Sequence, residues 1–173
     1  EATVEFNSTG EINAIRGCTL EGNTEGLRTG ITAGMNSIVR IVNNTIRSSI
    51  VDVKDQANVK LCDNNYTNSS LIVWGTGIAA ADKETFTGDC TRGAGYACGI
   101  SESGSLTIRD SSFSNLNGFA IISYDNSHCS VEKCKINEVT RSSNVAYNGA
   151  VLSVEECELQ GSHEPSILLN QAK

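Results

Sequence analysis

Hydrophobic and polar positions along the chain fall into an eight-residue phrase that recurs. It reads apolar, x, apolar, x, x, Cys or small polar, x, apolar. The clearest copies are residues 129–136 (CSVEKCKI) and 152–159 (LSVEECEL), 23 residues apart. Further copies lie at 13–20, 39–46, 59–66 and 106–113. Alternation across the first three positions is that of a half-buried strand. The two successive x positions break it as a bend does, and the period of two excludes a helical repeat. Repetition at 20–50 residues is the mark of stacked units that bury their faces against one another.

The last column of the phrase holds Leu20, Ile46, Tyr66, Phe113, Ile136 and Leu159, at spacings of 26, 20, 47, 23 and 23. The 47 implies a degenerate copy between Tyr66 and Phe113. Its strands are sought at 85–90 and 96–100, and residues 75–104 are expected to be the least regular stretch. A looser strand follows most copies, as at 50–53, 71–74 and 118–122. Three short strands per unit of roughly 23 residues predict an all-β fold, a right-handed parallel β-helix of about seven coils. It forms one domain over 1–173, regular at about 12–74 and 105–160. Residues 1–10 read as a strand through Val4 and Phe6, and neither end shows a cap. The rod is therefore expected to be a slice of a longer solenoid, to stack end to end, or to be closed by its irregular terminal strands.

Composition narrows the function. The net charge of −7 argues against a nucleic-acid surface. No run of about 18 apolar residues is present to cross a membrane as a helix. Aromatics are 5% of the chain, so Val, Ile, Leu, Ala and Cys must fill the core. Seven cysteines cannot all pair within the chain. Cys129, Cys134 and Cys157 fall in inward columns and read as buried thiols. Cys90 and Cys98, in the irregular stretch, are the disulfide candidates.

The units SLTIRDSSFSNLNGFAI (105–121) and CSVEKCKINEV (129–139) resemble the parallel β-helix repeats of the pectin-lyase-like superfamily. The resemblance runs from about Ile12 to Leu159. It implies the fold, and it leaves activity open among lyases, hydrolases, epimerases, tailspikes, adhesins and non-catalytic domains. Hydrolases of the group pair Asp residues, and its lyases set Asp ligands for calcium beside an Arg or Lys base. The segments Asn-Thr-Asp, Gly-His-Gly and Arg-Ile-Lys of its pectin hydrolases do not occur here. No residue is assigned as catalytic, cofactor-binding or metal-binding, and calcium enters only under the lyase alternative. Trp74, Tyr96, Arg109 and Tyr124 are the candidate ligand contacts. The expected function is a non-catalytic structural or adhesive module of a surface or fibre protein, extracellular or at the cell surface. It would bind a glycan or protein and associate through its ends. The alternatives are a carbohydrate-active enzyme, whole or in part, and a protein-interaction domain of a larger cytosolic protein.

Overall fold

A computed structural model describes residues 4–7, 12–22, 28–90 and 94–172. Of the 1–10 strand expectation, residues 1–3 and 8–10 lie outside them. The described chain winds through three parallel sheets, with strands numbered in chain order. Sheet A takes β1 (Val4–Phe6), β4 (Arg28–Ala33), β7 (Ser49–Val53), β10 (Ser70–Val73), β13 (Tyr96–Ile100), β16 (Phe119–Ser123), β19 (Asn144–Tyr147) and β22 (Ile167–Asn170). Sheet B takes β2 (Ile12–Arg16), β5 (Ile38–Val42), β8 (Asn58–Cys62), β11 (Ile78–Asp82), β14 (Ser105–Arg109), β17 (His128–Glu132) and β20 (Val151–Glu155). Sheet C takes β3 (Thr19–Glu21), β6 (Thr45–Arg47), β9 (Asn65–Thr67), β12 (Thr85–Asp89), β15 (Ser112–Asn117), β18 (Lys135–Val139) and β21 (Glu158–Gln160). Each coil contributes one strand to each sheet.

Register runs unbroken through sheet B, where Ile12, Ile38, Asn58, Ile78, Ser105, His128 and Val151 share one position. The phrase makes sheet B, a bend and sheet C. At the bend, Gly17, Asn43, Asp63, Lys83, Asp110, Lys133 and Glu156 all adopt positive φ. One left-handed residue per coil turns the chain and aims the next side chain inward. That next residue is Cys18, Asn44, Asn64, Glu84, Ser111, Cys134 or Cys157.

β11 is the strand the phrase did not find. Its inward residues are Ala79 and Ala81, where neighbouring coils carry Val59 and Leu61 or Leu106 and Ile108. The apolar signal is weak there, yet the register with β8 and β14 is complete. Both sought strands are present, as β12 and β13. Inside, Tyr66, Phe86 and Phe113 stack on successive coils, with ring centroids 4.3 and 4.8 Å apart and planes within 14° and 6°. These distances match the inter-strand spacing, so one column of identical geometry produces the stack.

Candidate functional site

Three of the candidate contacts, Trp74, Tyr96 and Tyr124, belong to sheet A or the residue that follows its strands. Trp74, Ser101 and Tyr124 each follow a sheet A strand, and each backbone N–H bonds the coil below. They form one column, with Trp74 and Tyr124 two coils, or ~10 Å, apart. Trp74 Nε1 donates to Asp52 Oδ1 at 2.7 Å, and Lys54 Nζ lies 6.0 Å from the ring centroid. Burial pushes the Asp52 carboxyl up, against the opposing pull of the Trp74 hydrogen bond and Lys54. Tyr96 reaches along its own strand to lie over Gly99. A Cβ on Gly99 would come within 2.1 Å of the Tyr96 ring. Only glycine lets the phenol settle against the sheet. Tyr124 stacks on Tyr147, centroids 5.4 Å apart. Burial, then the neighbouring Tyr124, pushes the Tyr96 phenol up, and burial, then Tyr147, does the same to Tyr124.

Arg109 belongs elsewhere. It projects from sheet B, and its guanidinium forks onto Glu132 of the next coil, with Nε 2.8 Å from Oε2 and the second nitrogen 3.2 Å from Oε1. The hydrogen bond to Glu132 is the main cause of Arg109's raised pKa, and its return holds Glu132 low. Beside it a shallow groove of about 470 Å³ crosses Ala80, edged by Lys60, Cys62, Asp82 and Asp110. The Cys62 thiol donates to Asp63 Oδ2 at 3.1 Å. That bond, then burial, pushes it up to about 11, so it is not a nucleophile at neutral pH. Among the described residues no three His, Cys, Asp or Glu gather as a metal set. Arg109→Ala is expected to leave the midpoint of a denaturant melt essentially unchanged, because the pair is solvated.

Cys90 and Cys98 correct the disulfide expectation. Both are buried free thiols. Cys98 occupies an inward column between Leu71 and Ile121. Cys90 follows β12, with Sγ directed at the Ser69 carbonyl at 3.9 Å. Each fills its own slot in the core, and burial pushes the Cys90 thiol up to about 12.

The bend column hides a polar ladder. Asn44 Nδ2 donates to Asn64 Oδ1 at 2.9 Å and to the Ile15 carbonyl at 3.2 Å. Asn64 Nδ2 donates to Glu84 at 3.1 and 3.2 Å and to the Ile41 carbonyl at 2.8 Å. The Glu84 N–H donates to Ser111 Oγ at 3.0 Å. Higher up, the Cys134 N–H meets Cys157 Sγ at 3.4 Å. Glu84 is 1% exposed. Burial dominates and pushes its carboxyl up to about 8, against the Asn64 hydrogen bonds that lower it. The buried Tyr66 hydroxyl couples to Glu84 electrically, though it forms no hydrogen bond of good geometry.

Sequence reasoning missed Glu84, Asp52, Gly99 and Tyr147. The signal for Glu84 was available: AAADKETF at 79–86 fits the phrase 20 residues after 59–66, if Ala counts as apolar and Glu as the inward polar residue.

A family model described as a right-handed β-helix region matches residues 2–173. The chain belongs to that family. Comparison with curated proteins and with solved structures finds no match. Membership in the right-handed β-helix family accounts for the coil, the three sheets and the inward ladder, and it carries no reaction with it.

Proposed function

We propose that this β-helix is a non-catalytic structural and adhesive module, outside the cell or at its surface. It binds a glycan along the outer face of sheet A and associates through its ends. The observation that supports this reading is the pair of pre-set rings on sheet A: Trp74 held by Asp52, and Tyr96 laid over Gly99. Rings already fixed on a rigid sheet lose little entropy when a sugar stacks on them. The net charge of −7 favours a neutral glycan over a polyuronate. Trp74 is the only tryptophan, so its fluorescence reports directly on this face. Titration with soluble neutral glucans should change that emission, and polygalacturonate should not. Gly99→Val should displace Tyr96 and weaken binding about tenfold, a loss of roughly 1.4 kcal/mol. An unchanged affinity in that variant would remove sheet A from the proposal.

The enzyme alternative has one observation in its favour, the Ala80 groove with Asp82, Arg109 and Asp110 at its edge. Release of unsaturated products or reducing ends from uronate polymers, with or without calcium, would establish it over the adhesive reading.

A further inference from the structure

The column that follows the sheet A strands has a missing rung. Successive coils place Lys54, Trp74, Ser101, Tyr124 and Tyr147 on it. From the coil below, the Lys54 ammonium lies over the Trp74 ring, 6.0 Å from its centroid, while the indole N–H is tied to Asp52 at 2.7 Å. From the coil above, Tyr147 stacks on Tyr124, with centroids 5.4 Å apart and planes within 16°. Each ring therefore has one face occupied from outside the pair, and its other face turns toward Ser101. Ser101 has the smallest side chain of the five. Tyr96 lies over Gly99 on the same coil, two residues before Ser101.

The core shows what such a column does when its middle residue is aromatic. Tyr66, Phe86 and Phe113 occupy successive coils and stack at 4.3 and 4.8 Å. A flat ring over Ser101 would sit one coil step from Trp74 and one from Tyr124, inside the range of about 4.5–7 Å at which aromatic rings pair. The gap adjoins a groove of about 630 Å³, whose lining residues Gly75 and Glu102 directly follow Trp74 and Ser101. Asp55 and Glu102 supply its carboxylates. Among the described residues Glu102 makes no ion pair.

We propose that the Ser101 gap binds a small aryl ammonium compound. Its flat ring completes the stack between Trp74 and Tyr124, and its cationic arm lies in the groove beside Glu102 and Asp55. Two ring faces remove water from both sides of the guest, and the carboxylates select a cation over an anion. The site does not depend on the glycan reading, because the guest enters edge-on between the rings.

Calorimetric titration of the protein with tyramine tests it. The controls are hydroxyphenylacetate, which keeps the ring and reverses the charge, and cyclohexylethylamine, which keeps the amine and loses the flat ring. Tyramine is expected to bind about tenfold more tightly than either. Ser101→Trp supplies the missing ring from the chain itself and should abolish tyramine binding. Tyr124→Leu should weaken it about tenfold, and Glu102→Gln about threefold. Circular dichroism checks each fold, and the last two variants carry the test if Ser101→Trp does not fold. No binding of tyramine, a comparable affinity for either control, or binding that Tyr124→Leu and Glu102→Gln leave unchanged would overturn the proposal. Neutral glucans that bind where tyramine does not would overturn it and leave the glycan reading standing, and tyramine binding without glucan binding would do the reverse.

Discussion

The protein should lose stability as pH rises from about 4.5 to about 8, by on the order of 5 kcal/mol, and Glu84→Gln should abolish most of that loss. The sign follows from burial. In the unfolded chain the carboxyl titrates at its model value of 4.5, and in the folded coil at about 8. Below pH 4.5 both states hold the proton and nothing is lost. Between the two values the unfolded chain releases its proton while the folded one keeps it, so each pH unit shifts the balance toward unfolding. Above 8 both are ionised and the loss is complete. The groups facing Glu84 offset this only in part, and burial outweighs them. Asn64 donates to it, Tyr66 and Ser111 are neutral, and Asp63 adds repulsion. Denaturant melts at pH 5, 6.5 and 8.5 supply the measurement. The general repulsion of an acidic rod also grows with pH, so the decisive quantity is the difference between the two proteins. An equal slope in Glu84→Gln would show that the carboxyl is ionised in the folded state.

Phe86→Ala should cost about 4 kcal/mol and split the unfolding transition. Phe86 is fully buried between Tyr66 and Phe113, and coil-to-coil contact is the only long-range coupling a solenoid has. Losing the middle ring leaves a cavity in the stack and weakens the interface that joins the lower coils to the upper ones. Phe86→Leu keeps most of the volume and should cost about 1.5 kcal/mol or less, with one transition retained. Calorimetry distinguishes these cases. A single sharp transition in Phe86→Ala would mean that sheets A and B couple the coils without the aromatic column.

The columns that sort this chain were visible because a solenoid repeats its local geometry, so one clear copy calibrates the others. Val131 and Val154, or Ile136 and Leu159, announce burial by type and position. The pattern fades where a coil is filled by unusual residues. Ala79 and Ala81 are too small to mark a strand by hydropathy, and an acid in the bend column looks like a surface residue. Glu84 is interior because the left-handed Lys83 turns it inward and Asn64 receives it, facts of backbone and neighbour rather than of residue type. The disulfide expectation failed for a related reason. Cys90 follows the sheet C strand β12 and Cys98 lies in the sheet A strand β13, and each fills its own slot in the core as a free thiol.

Which side chains share a face was likewise beyond the linear pattern. Trp74 and Tyr124 are 50 residues apart in sequence, yet they stand two coils apart in one column. Coil lengths of 20 to 27 residues hide that relation until the register is known. Arg109, equally plausible by type, points from another sheet. The sequence by itself determined the coil: alternation, bend and inward column are local, and local signals survive repetition. Tertiary structure alone decided the buried acid in the core and the aromatic face of sheet A. Each of these depends on what lies one coil above or below, a distance of ~4.8 Å in space and of a variable number of residues along the chain.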